Sequence, residues 1–246
     1  MCVQHTRILI SRFFRGNDDH QTDASALPMN EIPPSDGRVS NATSQRMSQY
    51  LRCIGAAVRA GGTVSSSELA ELVGVSAAQV RRDLAALGHL GQRGVGYDAA
   101  ALTAAIRKTL GIDRMWKVVV AGAGNLARAL LRYRGFADQG FEIVGLFDAD
   151  PGKVGTIIEG LKVQNIAQLR ESVANLGAEL GVVSVPSDAA QAVADQMVAA
   201  GLKGVMNFAP VLLRLPSHVR SVTVDLASQL EQLAFAVHFA ALADRS

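Results

Sequence analysis

The residues of this chain best suited to bind a ligand form a glycine-rich turn. After an apolar run that ends at Ala121, the chain reads Gly122, Ala123, Gly124, Asn125, Leu126 and Ala127, which is the spacing G-x-G-x-x-A. The first glycine of such a turn permits a tight bend, the second lets the backbone approach a pyrophosphate, and the last small residue allows close helix packing. Amides at the start of the helix favour an anion. The sequence therefore predicts a dinucleotide-binding turn.

An acidic residue stands at the end of the next predicted strand. The run from Phe141 to Phe147 is followed by Asp148, about where the hydroxyls of an adenosine ribose would lie. A carboxylate at this point repels a 2′-phosphate, so NADH and NAD+ are favoured over their phosphorylated forms. The alternative is that Asp148 and Asp150 only shape the turn before Pro151.

Two later strands end in loops that we expect to contact the same nucleotide. Ligands of open α/β sheets bind outside the carboxyl ends of the strands. The residues concerned are Val185 and Pro186 in one loop and Asn207, Phe208, Ala209 and Pro210 in the other. For Phe208, a place in the hydrophobic core is the alternative.

The histidines and cysteines offer no catalytic or metal-binding arrangement. None of the five histidines stands with a carboxylate or a basic residue in a recognisable catalytic pattern. The two cysteines, Cys2 and Cys53, are too few for a disulfide framework and lack the spacing of metal ligands. We therefore predict no catalytic residue and no metal, so the domain would sense its nucleotide instead of reacting with it. The two cysteines also predict a reducing, cytoplasmic location. The alternative is an NAD-dependent dehydrogenase, which would turn over a small carbonyl or alcohol substrate.

A second motif lies nearer the N-terminus, between Ser66 and Leu84. Ala70 stands where two helices must approach closely, Gly74 follows at a turn, and Val80 is expected to pack inward. This spacing is typical of a DNA-binding helix-turn-helix, and the glycine-rich stretch from Gly91 to Tyr97 suits a hairpin that would form its wing. The alternative is a helical module that binds protein rather than DNA.

The second helix of this motif is predicted to carry the DNA-reading residues. Its buried stripe is expected to be Val80, Leu84 and Leu87, which leaves the opposite face for DNA. Glutamine can read adenine, and arginine can read guanine or hold a phosphate. Asp83 lies nearer the buried edge, where we expect it to orient arginine side chains or to support the fold. The predicted DNA contacts are Ser76, Ala78, Gln79, Arg81 and Arg82, with Arg93 on the wing.

Two kinds of hydrophobic pattern place these motifs. From Thr43, apolar residues at helical spacing predict three helices. A capping-box spacing from Ser65 to Glu68 opens the second, and the same spacing from Ser76 to Gln79 opens the third, which continues to about Leu87. A linking helix follows from Ala100 to Leu110. From Lys117 onward, short buried runs alternate with helical stretches, which is typical of a parallel sheet wrapped by helices. The predicted strands are Val118 to Ala121, Ile143 to Phe147, Gly181 to Val185, Val205 to Phe208 and Val222 to Leu226.

The predicted fold class is α/β, with an N-terminal winged helix before a C-terminal Rossmann-like domain. We expect a disordered tail over 1–42, the winged helix over 43–99, the Rossmann-like domain with its linking helix over 100–225, and a C-terminal helix over 226–246. The apolar runs are shorter than a membrane span requires, so we expect no membrane partner. The net charge of +2 is too small to indicate a polyanionic partner.

Residues from about Thr43 to Leu242 resemble the Rex family of bacterial redox-sensing transcriptional repressors. The resemblance implies a homodimer whose C-terminal helix, here Leu226 to Ala243, is swapped onto the Rossmann domain of the partner. It also implies a repressor that binds a palindromic DNA operator and is released by NADH, whereas NAD+ leaves repression in place. Six ordered motifs carry the resemblance: Val64 to Leu69, Gln79 to Leu84, Arg93 to Tyr97, Gly122 to Leu126, Phe147 to Asp150 and Asn207 to Pro210.

The resemblance further implies a switch and shows where this chain departs from the family. An acid at the start of the swapped helix exchanges partners between states in the family, and Asp225 matches it, with Arg52 and Tyr97 matching the alternative partners. Arg82 stands where lysine is common, and Ala127 replaces a third glycine. A CoA-binding regulator is a third interpretation, which an acid after the second strand disfavours because CoA also carries a ribose phosphate.

Overall fold

The computed structural model describes residues 39–88, 90–92 and 94–243. Most of the predicted disordered tail, 1–42, and the predicted wing residue Arg93 lie outside the described residues. The end of the tail does not: Asn41 and Ala42 are helical, because Ser40 caps the first helix by accepting a hydrogen bond from the amide of Thr43.

Among the described residues, four helices and a small sheet form the N-terminal part. The hairpin predicted as the wing is present, and an unpredicted strand pairs antiparallel with its second strand. The helices are α1 (Asn41–Arg59), α2 (Ser66–Val73), α3 (Ala77–Ala85) and α4 (Ala99–Thr109). The strands are β1 (Thr63–Val64), β2 (Gly91–Gln92) and β3 (Gly96–Asp98).

Local sequence signals set the ends of α2 and α3. Ser65 accepts from the amide of Glu68, whose carboxylate accepts from the amide of Ser65, so the predicted capping box is confirmed. Gly74 ends α2 at a φ of +74°, a left-handed conformation that glycine adopts without strain. Ser76 caps α3, which ends at Ala85, short of its predicted end.

The core of the N-terminal part includes α4. Tyr50 and Ile54 of α1 and Val80 of α3 are fully buried together with Leu102 and Ile106 of α4. The sequence analysis grouped this linking helix with segment 100–225, but its apolar face packs on α1. We therefore propose that the first domain extends through α4.

A seven-stranded sheet organises the C-terminal part. Its order is β10-β9-β8-β4-β5-β7-β6, and every neighbouring pair is parallel except β6 and β7. The strands are β4 (Trp116–Ala121), β5 (Phe141–Asp148), β6 (Ile157–Ile158), β7 (Leu161–Asn165), β8 (Leu180–Val183), β9 (Gly204–Asn207) and β10 (Arg220–Thr223). The parallel sheet is thus confirmed, whereas the hairpin of β6 and β7 was not predicted.

Helices pack on both faces of this sheet. The helices are α5 (Asn125–Arg132), α6 (Gly135–Asp138), α7 (Leu169–Leu176), α8 (Ser187–Ala199) and α9 (Leu226–Ala243). Val173 of α7 and Met197 of α8 share one core with Val119 of β4. Ala127 of α5 shares the opposite core with Val120 of the same strand.

Of the helices in the described part of the chain, none has the length and apolar character to cross a bilayer.

The last predicted strand lies earlier in the chain than expected and runs from Arg220 to Thr223. It was predicted to run from Val222 to Leu226, but β10 ends at Thr223 and Leu226 already begins α9. The carboxylate of Asp225 accepts from the amide of Ser228, so it caps α9 and ends the extended backbone before it.

Candidate functional site

The glycine-rich turn joins β4 to α5 at the carboxyl edge of the sheet. Gly122 has a φ of +103°, and its amide donates to the carbonyl of Phe147 at 2.8 Å. A Cβ at this position would lie 2.3 Å from the carbonyl oxygen of Ser184. Both the conformation and the space therefore require glycine here.

Gly124 differs from Gly122 in what surrounds it. It is the N-cap of α5 with an ordinary φ of −96°, and no side chain caps the helix. A Cβ at Gly124 would meet no atom of the described residues within 4 Å. The start of α5 thus offers open space beside uncapped backbone amides, which is what a pyrophosphate needs.

Asp148 lies against the same turn. Its carboxylate accepts from the amides of Ala123 at 2.7 Å and Asp150 at 2.9 Å, and it pairs with the ammonium of Lys153 at 3.0 Å. Burial would raise the pKa of Asp148, but the amides of Asp150 and Ala123 and the charge of Lys153 outweigh it and lower that pKa. The side chain is therefore an anion at neutral pH that both shapes its own turn and holds the glycine turn. Sequence reasoning missed Lys153, although a cation five residues after the acid was a usable signal.

The register of the sheet brings the three candidate loops to one edge. Ala121 is level with Val183, and Val183 is level with Asn207, so the residues that follow these strands are neighbours. The hydroxyl of Ser184, which the sequence analysis did not single out, donates to the carbonyl oxygens of Ala121 and Gly122 at 3.0 and 2.9 Å. This hydroxyl ties the second loop to the glycine turn.

The loop that follows β9 is held by Asn207, the last residue of that strand. Asn207 is 1% exposed, donates to the carbonyls of Ala209 and Val211, and accepts from the amide of Ala209. Phe208 packs against the α5-side core, which supports the alternative we gave for it, and Val185 packs against the opposite core. Pro186 and Pro210 are exposed. The side chain of Asn207 therefore shapes the loop instead of pointing at a ligand.

The outer face of α3 carries the predicted DNA-reading residues. Ser76, Ala78, Arg81 and Arg82 are exposed, and Gln79 is half-buried. The guanidinium of Arg81 donates to the hydroxyl of Ser66 at 3.1 Å, so it reaches towards the start of α2. The opposite stripe is buried as predicted at Val80 and Leu84, whereas Leu87 is only half-buried because α3 has ended before it.

Asp83 forms a buried polar cluster between α1 and α3. It is 4% exposed and accepts from the guanidinium of Arg46 at 2.6 and 2.7 Å, from the hydroxyl of Tyr50 at 2.8 Å and from the side-chain nitrogen Nε2 of Gln79 at 2.9 Å. Burial would raise the pKa of Asp83, but the hydrogen bonds from Arg46, Tyr50 and Gln79 outweigh it and lower the pKa. Burial also raises the pKa of Tyr50, with the charge of Asp83 acting in the same direction. Sequence reasoning placed Asp83 correctly at the buried edge but did not find Arg46 or Tyr50.

The three candidate switch residues lie in different elements. Arg52 is exposed on α1, and Tyr97 is half-buried in β3, where its ring fills the space beside Gly91. Asp225 is exposed and caps α9.

Large apolar surfaces remain open on the sheet and on α9. A cavity of about 280 Å³ lies on the α5 side of the sheet, lined by residues such as Leu180, Met206 and Val222. On α9, the side chains of Leu226, Leu230, Leu233, Phe235, Val237 and Phe239 are 52–66% exposed. Within the described ranges, no group of three or more His, Cys, Asp or Glu side chains could hold a metal ion.

Family models match both parts of the chain. Residues 113–211 match the model described as "CoA binding domain", and residues 38–85 match the model described as "Putative DNA-binding protein N-terminus".

Curated relatives match over most of their length. The redox-sensing transcriptional repressor Rex of Pelotomaculum thermopropionicum is 49% identical over 80% of this chain and 93% of the relative. The repressor of the same name from Rhodopirellula baltica is 41% identical over 90% of this chain and 93% of the relative.

Solved structures of RSP, a Rex-family repressor, have the same fold. RSP alone is 32% identical, with a TM-score of 0.75 over 84% of this chain and 97% of RSP. RSP in complex with β-NAD+ and operator DNA is 33% identical, with a TM-score of 0.78 over 84% of this chain and 96% of RSP. RSP in complex with β-NADH is 31% identical, with a TM-score of 0.75 over 84% of this chain and 98% of RSP. These matches confirm the predicted class, an N-terminal DNA-binding domain before a Rossmann-like sheet, and at this identity and coverage the chain belongs to the Rex family of redox-sensing transcriptional repressors.

Proposed function

We propose that this chain represses transcription by binding a palindromic DNA operator and that NADH releases it. The observation that carries the proposal is the open space at Gly124, beside uncapped amides and the Asp148 anion, in a chain that also exposes Arg81 and Arg82 on a helix-turn-helix. Solved structures of the related RSP contain β-NAD+ with operator DNA in one case and β-NADH in another, which supports both ligands.

The nucleotide would lie along the carboxyl edge of the sheet. Backbone amides of residues 122–126 would hold its pyrophosphate, and Asp148 would accept from the ribose hydroxyls and repel the 2′-phosphate of NADPH. The loops of Val185 and Pro186 and of residues 207–210 would contact the rest of it, the second through backbone atoms because the side chain of Asn207 is engaged. The nicotinamide ring is neutral in NADH and positively charged in NAD+, which gives the site a difference to sense.

The DNA operator would be read by α3 and its flanks. Gln79 and Arg82 would face base edges, while Ser76, Arg81 and the wing residue Arg93 would contact phosphates, and Ala78 would let the helix enter the major groove. A palindromic site needs two copies of this helix related by a two-fold axis.

Two open apolar surfaces support a homodimer. Leu226, Leu230, Leu233 and Val237 recur at helical spacing on α9 and are exposed in the single chain. Full burial of each such side chain stabilises by about 1.5–3 kcal/mol. A monomer that leaves all of them exposed on α9 forgoes this stabilisation. We propose that α9 of one protomer covers the cavity lined by Leu180, Met206 and Val222 on its partner, which makes 226–246 the swapped dimerisation segment.

The switch would lie between the two copies. Asp225 stands at the start of α9, and we propose that it meets Arg52 or Tyr97 of the partner in different states. Its bond to the amide of Ser228 holds the carboxylate at the helix end. Two arrangements separated by only a few kcal/mol are enough for a ligand to shift the balance between them.

We also propose that the nucleotide acts as an effector and not as a substrate, in a cytoplasmic regulator. The names of the curated relatives describe repressors, which supports this over the dehydrogenase alternative. A dehydrogenase would oxidise NADH when small carbonyl compounds are added, and the loss of the near-ultraviolet absorbance of NADH would detect this reaction.

The test is fluorescence anisotropy on labelled duplexes at fixed salt. Duplexes are first selected with the purified protein from a palindromic library with randomised half-sites, and NADH, NAD+ or NADPH is then added in turn. We expect binding without nucleotide and release by NADH alone. Failure to select any duplex would overturn the repressor proposal, and NADH oxidation with a carbonyl compound would favour the dehydrogenase.

A further inference from the structure

We propose that Asp83 is a positioning residue for DNA reading: it fixes which atoms Gln79 and Arg82 present to the operator and so sets a base preference. The inference rests on the proposed operator binding and deepens it. Asp83 itself faces away from DNA, because it is buried between α1 and α3. It would act only through the side chains that it holds.

Both oxygens of Asp83 are engaged from two directions. One oxygen accepts from Nε of Arg46 and the hydroxyl of Tyr50, and the other accepts from Nη2 of Arg46 and Nε2 of Gln79. The hydroxyl of Thr43 lies 3.4 Å from the second oxygen. Because Arg46 and Tyr50 belong to α1, they hold the carboxylate in one place relative to α3.

The carboxylate determines the orientation of the Gln79 amide. An ionised carboxylate can only accept hydrogen bonds, so the nitrogen of the amide must face Asp83 and its oxygen must face outward. The outward Oε1 accepts from Nη2 of Arg82 at 2.7 Å. A chain of hydrogen bonds thus runs from α1 through Asp83 to Gln79 and then to Arg82, and it presents the two side chains in one arrangement.

Replacement of Asp83 by asparagine should reverse this arrangement. An asparagine oxygen can take the position that accepts from Nε of Arg46 and from Tyr50. Its NH2 group then faces both Gln79 and Nη2 of Arg46, so the second bond to Arg46 is lost, and some stability with it. The Gln79 amide must then turn its oxygen inward, and its outward nitrogen meets the guanidinium of Arg82, donor against donor. The base contacts of both side chains change, although neither has been substituted.

The experiment compares the half-sites that each variant selects from the palindromic randomised library. Asp83→Asn and Gln79→Met are tested against the wild-type protein, with Glu71→Gln as a control that removes one exposed acid from α2. We expect both test variants to lose preference at the same position of the half-site, by between about 5-fold and 150-fold, the range of one good base contact. The dependence of affinity on salt should stay close to that of the wild type, because the phosphate contacts are kept.

The outcomes separate the possible failures. A lower melting temperature for Asp83→Asn with an unchanged half-site would show that Asp83 only stabilises the fold, and would overturn the inference. If Asp83→Asn does not fold, Tyr50→Phe decides: it removes one hydrogen bond that holds the Asp83 carboxylate and changes neither reading side chain, so it should weaken the preference at the same position, and an unchanged half-site would overturn the inference. A wild-type protein that selects no half-site refutes the proposed function itself, which is a different result from unchanged selection by the variants.

Discussion

Alanine replacements at Gly122 and Gly124 should have different effects. Gly122→Ala should lower the stability of the fold, whereas Gly124→Ala should weaken nucleotide binding. At Gly122 the new Cβ would lie 2.3 Å from the carbonyl oxygen of Ser184, at a φ of +103° that alanine rarely adopts. The conformation costs about 1–2 kcal/mol and the overpacking about 1–3 kcal/mol more, or about 2–5 kcal/mol in all. For a domain of this size, that lowers the melting temperature by roughly 4–20 °C.

Gly124→Ala should instead leave the protein folded and impair nucleotide binding. Its φ of −96° suits alanine, and the new Cβ meets no described atom within 4 Å, so the main cost is a poorer N-cap, at most about 1 kcal/mol. The melting temperature should therefore fall by less than about 4 °C. The methyl group would occupy the space proposed for the pyrophosphate, and we expect NADH affinity to fall at least about tenfold, or 1.4 kcal/mol.

Thermal melts and a fluorescence titration with NADH measure the two effects on the same preparations. Operator binding by Gly124→Ala should persist, while the NADH concentration that releases the duplex should rise in step with the loss of affinity. Wild-type NADH affinity in Gly124→Ala would refute the placement of the pyrophosphate at the start of α5. A wild-type melting temperature for Gly122→Ala would refute the steric argument at Ser184.

Three further predictions test the dimer, the specificity for NADH and the buried acid. Leu233→Glu puts a charge on the apolar face of α9 and should convert the dimer to monomers in sedimentation equilibrium, whereas the matched change Glu231→Gln should not; a dimer that persists in both would contradict the swapped helix. Asp148→Ala removes the anion beside the proposed ribose, so the preference for NADH over NADPH should fall at least about tenfold in parallel titrations; an unchanged preference would place the ribose elsewhere. The pKa of Asp83 is lowered below its ordinary value of 3.8, so its stabilising bonds are complete above that pH and are lost as the pH falls through the lowered pKa. The urea midpoint of the wild type should therefore exceed that of Asp83→Asn by a constant amount from neutral pH to about pH 5, and by less below pH 4. A difference that grows on acidification would contradict a stabilising role for the ionised Asp83.

Sequence patterns predicted the elements whose signals are local. The Ser65–Glu68 capping box, the turn at Gly74 and the strand-to-helix turn at Gly122 each need only a few adjacent residues, and all three are present. In the hairpin that was missed, β6 has only two residues and so no period to detect, whereas β7 alternates apolar and polar residues from Leu161 to Gln164, which was a usable signal. The start of the first helix was placed too late because Ser40 was not considered as its cap.

Contacts between distant residues could not be derived in the same way. The periodicity of α4 shows that one face is apolar, but not whether that face meets α1 or the sheet; in the structure it packs against α1. Asp83 was placed at a buried edge by its position on the helix, yet its partners Arg46 and Tyr50 are 37 and 33 residues away. Spacing along the chain carries no information about such pairs.

The packing of α4 bears on how nucleotide and operator could influence each other. Its Ile106 is buried in the core of the helix-turn-helix, while the next residue, Arg107, donates to the carbonyls of Ile112 at 2.7 Å and Asp138 at 3.3 Å. The indole of Trp116, at the start of the sheet, donates to the carbonyl of Gly111 at 2.7 Å. A connection fixed at both ends differs from a flexible linker, because a displacement of one part carries the other with it. Binding free energies are reciprocal, so the factor by which NADH weakens operator binding must equal the factor by which the operator weakens NADH binding. A repressor of this kind would therefore bind NADH less tightly while it is on DNA, and within a single chain α4 is one connection that is fixed to both parts.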